Sequence, residues 1–340
     1  MLHRHANPTG RFDIVSVGDV ATDVFIRLLA AHTETFEDER GRWLAMPFGA
    51  KLPFDHAQII EAGGNAGSAA VAFARLGLRT AFATHVGADA FGRDMVAALA
   101  REGVDARFVR SDPQRPSNTH YVLWFGDERT ILVHHEDYDY RWPELRPPEE
   151  PAWLYFTSVS EHALGYHDEI SDWLDEHPAV RLAFQPGTFQ IEVGAARLAR
   201  VYRRAEVLVC NREEAVRIGG GDHEDVADLI TGLHALGPEV VVVTDGPRGA
   251  FASDGKVRVA LPIFPDAAPP RDRTGAGDAF AATFVASRAR GHELAESLER
   301  AAVNAASVVQ AVGPQAGLLE EEILAARLAS RPDGFAATEW

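Results

Sequence analysis

The chain has 340 residues, 46% hydrophobic and 24% charged, enough apolar material for a large buried core and too much for wholesale disorder. A formal net charge of -17 argues against nucleic acid and anionic membrane surfaces as partners. Cys210 is the single cysteine, so no intrachain disulfide can form; with no apolar leader in residues 1–11 and no apolar run of spanning length, a cytoplasmic home is expected.

Residues 12–18 read as a buried strand ending on Gly18, and 24–28 as a second strand. The mixed stretch 32–54, with Glu34, Glu37, Asp38 and Glu39, reads as a surface excursion. A strand over 57–61 leads into Gly63-Gly64. An alanine-rich helix over 66–76 stops at Gly77, a strand follows over 79–86, and Asp89 caps a helix that runs to Arg101 and ends at Gly103. Strand and helix in alternation predict a parallel sheet covered on both faces. In the middle, 119–125 and 129–135 read as a hairpin around Gly126-Asp127-Glu128, able to join the early strands in a small accessory sheet. Past a proline-rich connector at 143–151, strands are expected over 153–158, 181–185, 206–210 and 239–244, and helices over 167–177, 194–204 and 222–236. Helices over 275–290, 292–312 and 319–329 complete the chain. The expected fold is a doubly wound, mostly parallel α/β domain.

The strongest chemical signal is Asp272-Arg273-Thr274-Gly275-Ala276-Gly277-Asp278 at the start of an apolar helix. Small residues at 275–277 let a ligand approach the backbone. A helix start leaves its first amides unpaired and carries the positive end of the dipole, so the loop offers a pocket for an anion. A carboxylate in that first turn makes chemical sense if a hydroxyl lies between it and the anion. Asp278 would then take the hydroxyl proton, while the amides of Gly275, Ala276 and Gly277 hold a transferring phosphoryl group. On this string alone a second reading stays open, in which Thr274 or Asp278 is only a helix N-terminal residue favoured by the dipole.

The string resembles the D-x-T-G-A-G-D signature of the ribokinase-like (PfkB) carbohydrate kinases. Four further segments are similar to family motifs and follow the family order across roughly residues 12–315. They are Gly63-Gly64-Asn65-Ala66-Gly67-Ser68 with Ala74-Arg75-Leu76-Gly77, Gly87-Ala88-Asp89-Ala90-Phe91-Gly92, Asn211-Arg212-Glu213-Glu214, and Thr244-Asp245-Gly246-Pro247-Arg248-Gly249. The resemblance implies an ATP-dependent kinase acting on a small sugar-like acceptor, with Asp278 as base and 275–277 as anion hole. It implies one ribokinase-like domain over 1–340, with a β-sheet lid from roughly 20–62 and 117–136. Asp23, Gly63, Gly64, Asn65 and Ser68 would meet the acceptor. Asn211, Thr244, Gly246, Gly249, Thr274 and Asn304 would meet the nucleotide. Glu214 would recruit Mg2+, with a monovalent cation as an optional further ion. Three positions depart from the family pattern: Ala21 and Ser68 where asparagine is usual, and Gln185 before Pro186 where aspartate or asparagine is usual. All three touch the expected acceptor side. A nucleoside kinase and a non-catalytic sugar or nucleotide sensor on the same scaffold are the alternatives. The exposed lid edge would be a dimer surface.

Other clusters carry less. His134-His135-Glu136-Asp137 resembles a metal site, but adjacent side chains on a strand point to opposite faces. Gly219-Gly220-Gly221 follows a helix rather than a strand, so it reads as a helix stop, not a dinucleotide loop. No G-x-x-x-x-G-K-[ST] string occurs, and Cys210 reads as a small buried apolar residue. Arg129 reads either as a hairpin surface charge or as a contact to the acceptor or its phosphate.

Overall fold

A computed structural model describes residues 11–126, 128–219 and 225–340. Residues 1–10, Asp127, Gly220, Gly221 and the first part of the expected 222–236 helix lie outside the described residues. The strands are β1 (Ile14–Val17), β2 (Ala21–Leu28), β3 (Glu34–Asp38), β4 (Gly41–Ala45), β5 (Phe54–Gly63), β6 (Thr80–Gly87), β7 (Asp105–Asp112), β8 (Thr119–Phe125), β9 (Glu128–His134), β10 (Trp153–Phe156), β11 (Arg181–Phe184), β12 (Ala205–Asn211), β13 (Val240–Thr244), β14 (Ala250–Ser253), β15 (Arg258–Leu261) and β16 (Thr338–Glu339). The helices are α1 (Gly64–Arg75), α2 (Ala90–Arg101), α3 (Leu164–Glu176), α4 (Thr188–Val193), α5 (Ala199–Arg204), α6 (Arg212–Gly219), α7 (Val226–His234), α8 (Ala276–Ala289), α9 (Leu294–Val308) and α10 (Glu321–Ala329).

The main sheet runs β16-β15-β14-β13-β12-β11-β10-β1-β6-β7. From β7 to β13 every pairing is parallel, and β14, β15 and β16 add antiparallel strands at one edge. The parallel strands are short apolar runs such as Val240-Val241-Val242-Val243, and the buried sheet positions demand cover on both faces. One face packs on α1, α8, α9 and α10. The other packs on α3, α5, α6 and α7. The carboxyl ends of β1, β10, β11, β12 and β13 therefore open on one edge of the sheet, where α/β folds bind ligands.

A separate four-stranded sheet, β5-β2-β8-β9, is built from segments far apart in sequence. β2 pairs in parallel with β8, aligning Asp23 with His120, and antiparallel with β5. Strands β3 and β4 form their own hairpin inside the expected surface excursion, with Phe36 and Trp43 stacked outside.

Several expected bounds shift. Of the helix expected over 194–204 only Ala199–Arg204 is helical, and a separate short helix, α4, precedes it and stops at Gly194, which sits at φ +90. The 292–312 helix ends at Val308 and turns toward Gly313 at φ +82. Strands β7, β14, β15 and β16 are not among the expected elements, and α6 is the helix that the expected stop at Gly219 implies. β7 is a sheet-edge strand with charges at half of its positions, so it lacks an apolar run. Among the described residues, no helix is long and apolar enough to cross a membrane.

Candidate active site

Two helix starts and a set of strand ends face one cleft between the two sheets. Helix α8 begins from Gly275, which takes the left-handed conformation at φ 78. A side chain there would run into Pro314 at 2.2 Å, so both conformation and space demand glycine. The Ala276 amide leans on the Arg273 carbonyl at 3.4 Å and the Ala279 amide bonds Gly275 at 2.9 Å. Between them the amides of Gly277 and Asp278 have no acceptor among the described residues. The loop before the helix is tied down by Asp272. Its carboxylate accepts from the Thr274 amide (2.9 Å) and hydroxyl (2.7 Å), and from the Gly313 amide (2.9 Å). Thr274 thus spends its hydroxyl proton on the loop itself.

Asp278 occupies the first turn of α8, half-buried, and only its Oδ1 meets a protein donor among the described residues. Dense protein around the rest pushes its pKa up to about 6; a hydrogen bond from Gln185 opposes that, and the charge of Asp23 adds to it. Gln185 Nε2 donates to Asp278 Oδ1 at 3.0 Å, and the Tyr155 hydroxyl donates to Gln185 Oε1. The amide that departs from the family pattern is therefore the direct neighbour of the expected base.

Asp23 is buried on β2, where it pairs with Ile60 of β5, while Gly63 at the end of β5 pairs with Ala21. A Cβ on Gly63 would fall 2.1 Å from Asp23 Oδ2, so glycine is needed for the carboxylate to stand there. Gly64 and Asn65 open α1 beside it, both half-buried. Ser68 lies one turn deeper, and its buried hydroxyl has no partner among the described residues.

Asn211 and Glu214 form a reciprocal cap at the start of α6. Asn211 Oδ1 accepts from the Glu214 amide at 2.8 Å, and Glu214 Oε2 accepts from the Asn211 amide at 2.9 Å. Burial raises the Glu214 pKa, the bond from the Asn211 amide opposes that, and the nearby Asp278 charge reinforces it. The N-x-x-E string thus has a helix-capping role, and it still leaves one Glu214 oxygen unpaired among the described residues.

Thr244, Gly246, Gly249, Ala276 and Gly277 line a cavity of about 450 Å³ whose other walls include Phe280, Ala302, Ala305 and Val309. At Gly249 a Cβ would meet the Leu261 carbonyl at 2.0 Å, so glycine lets the start of β14 lie against the end of β15 beside the cavity. Asn304, expected to line this space, does not. It is fully buried; its amide donates to the Thr283 hydroxyl at 2.7 Å and its oxygen accepts from the Leu319 amide at 2.9 Å. The helix turns its alanines to the cavity and its asparagine inward to α8.

A second cavity, of about 430 Å³, lies between the small sheet and the 270–273 loop and is lined by Phe25, Val122, Trp124 and Arg129. Sequence reasoning missed the roles of Gln185, Asp272, His120, His135 and Asp19 near the cleft. Gln185 and Asp272 sat inside quoted strings without an assigned partner. His135 reads from sequence as a polar strand end rather than a metal ligand, on a strand that the resemblance places in the lid over the substrate, and no group of described side chains is arranged to hold a metal ion.

A family model described as pfkB family carbohydrate kinase matches residues 57–321. The chain is 31% identical over 307 residues to the cytidine kinase of Thermococcus kodakarensis, covering 85% of this chain and 94% of that protein. Among solved structures, Arabidopsis thaliana ribokinase complexed with ribose and ATP superposes with a TM-score of 0.75 at 21% identity, covering 94% of this chain and 99% of the other. A putative ribokinase II from E. coli in complex with ATP and Mg2+ gives 0.74 at 16% identity, covering 94% of this chain and 100% of the other.

Proposed function

The chain belongs to the pfkB family of carbohydrate kinases, and on that footing we propose that it moves the terminal phosphoryl group of ATP onto a hydroxyl of a sugar-like acceptor, with Asp278 as general base. Its activity class is that of a carbohydrate or nucleoside kinase rather than a non-catalytic sensor. One observation supports the assignment most: the Asp278 carboxyl, with only Oδ1 taken by a protein donor, stands in the same helical turn as two amides without protein acceptors among the described residues.

The division of labour follows from that turn. The acceptor hydroxyl sits against Asp278 and loses its proton to the carboxylate as its oxygen attacks phosphorus. The α8 amides, with the positive end of the helix dipole behind them, take up the charge that develops on the phosphoryl oxygens. Asp23 holds a second hydroxyl of the acceptor from the small-sheet side, and Gly63 keeps the space open for it. The alanine-walled cavity beside α8 and α9 suits the flat apolar face of adenine. Glu214 and Asn211 would hold Mg2+ through water, and the ion supplies charge neutralisation across the phosphates. The small sheet serves as the lid that excludes water from the reaction. The exposed apolar residues Tyr121, Ile131, Leu132 and Val133 on that sheet are the surface through which two copies would pair.

A nucleoside acceptor is the second reading. The cavity under Phe25 and Trp124 gives room and an aromatic face for a base, and the relative at 31% identity is named a cytidine kinase. ADP release measured over a panel of sugars and nucleosides separates the two. On the best acceptor, Asp278→Asn is expected to lower kcat by at least about 100-fold with ATP binding retained. Near-normal turnover in that variant would remove Asp278 from its role.

A further inference from the structure

Asp19, His135, His120 and Asp23 form an unbroken chain of hydrogen bonds that the phosphoryl-transfer scheme does not use. Asp19 Oδ2 lies 3.1 Å from His135 Nδ1, the two Nε2 atoms of His135 and His120 are 2.9 Å apart, and His120 Nδ1 is 2.9 Å from Asp23 Oδ1. The two imidazole planes are within 21° and their centroids 5.0 Å apart, which is the geometry of an in-plane N–H···N bond and not of a face-to-face stack. All four side chains are at most 15% exposed.

Counting protons decides what this chain is. A carboxylate only accepts, and a ring nitrogen donates only when it carries hydrogen. Three contacts with an ionised carboxylate at each end need three ring protons. Two neutral imidazoles supply two. One ring must therefore be an imidazolium, and its extra proton sits between the two Nε2 atoms. Asp19 is an acceptor on every side: it also takes the Ser160 amide at 2.8 Å and the Tyr140 hydroxyl at 2.8 Å. The group as a whole has two negative charges and one positive.

The chain also joins two parts of the fold. Asp23 and His120 are paired neighbours on β2 and β8 of the small sheet, and His135 follows β9 on the same sheet. Asp19 follows β1 of the main sheet. We propose that His120 and His135 are positioning residues for the acceptor, sharing one proton that holds Asp23 in place and fastens the small sheet to the main sheet. The clasp rests on the reading of Asp23 as an acceptor ligand. His120 occupies Oδ1 of Asp23 and leaves Oδ2, over Gly63, for the acceptor. Removing the shared proton leaves one of the three contacts without hydrogen, so two lone pairs face each other and the clasp loosens. Asp19 and Asp23 are the charged groups facing the pair, and the Phe189 ring closes it off from α4. One step out are Tyr140 on Asp19, Glu136 held by His134 and Arg115, and Asp278, which feels Asp23.

Nitrogen-15 NMR of the histidine rings in the full chain, without substrates, tests the proton count directly. The expected result is one N–H···N proton far downfield, coupled to two ring nitrogens and lost in both His120→Gln and His135→Gln. Two neutral rings with no shared proton would overturn the proposal whatever the enzyme phosphorylates. On the best acceptor, KM should rise with pH at the same midpoint at which that proton is lost. In His135→Gln, KM should be raised by about tenfold and lose that pH dependence, with the larger share of the loss in KM rather than kcat. Asp19→Asn, which keeps the shape and removes one charge, should shift the midpoint. A KM profile that follows wild type in these variants would leave the pair a structural contact only. Absence of turnover on every acceptor would count against the kinase reading and leave the NMR result standing.

Discussion

Asp278 and Gln185 show how much of the chemistry depends on one side chain meeting another. A general base has to be ionised, and burial pushes Asp278 up to about 6, so kcat/KM is expected to fall as pH drops through that value. Gln185 donates to the carboxylate and so favours its charged form. Replacing it with leucine removes that donor, and the acid limb of the pH–rate profile should move to higher pH. An unmoved limb would separate Gln185 from the base. Asp278 itself was legible, because the motif and the helix start are contiguous. The role of Gln185 was not, since its partner is 93 residues away and a single sequence carries no trace of that contact. Asn304 failed for a different reason. Its helix is lined with small residues on several faces (Ala301, Ala302, Ala305, Ala306), so periodicity could not say which face looks at the cavity.

At the scale of an element, the start of α8 makes two neighbouring glycines unequal. Gly275 is left-handed and pressed on Pro314, while a Cβ on Gly277 would meet nothing within 4 Å. Gly275→Ala should therefore lower both the melting temperature and the affinity for ATP. Gly277→Ala, at an ordinary helical position, should leave the melting temperature close to wild type and weaken ATP alone, because its methyl would stand in the cavity. Thermal melts and ATP titrations of the pair check this; equal losses of stability would contradict it. Runs of branched apolar residues made β1 and β13 readable, and Asp89 announced α2 by capping it. Helix α6 was legible only from its stop at Gly219; its polar start hid its beginning, although Asn211 and Glu214 carry a capping pattern that marks it.

Over the whole molecule, alternation of strand and helix was enough for the parallel core, because each crossover needs a helix and the chain supplies one. The edges were harder. β14, β15 and β16 are short, and the small sheet pairs β2 with β8, placing Asp23 beside His120 across 97 residues of sequence. That long-range assembly also gathers charge. Glu214 comes from α6, Asp278 from α8 and Asp23 from β2; Glu214 feels the charge of Asp278, and Asp278 that of Asp23, in a chain whose net charge is -17. Such crowding asks for a countercharge from outside. An acceptor analogue with a protonated amine in place of the reacting hydroxyl would bring it, and calorimetry should find the analogue held about tenfold more tightly than the parent alcohol. An equal or weaker grip would mean that water already screens the cleft, and that inhibitors of this enzyme should be sought among neutral compounds.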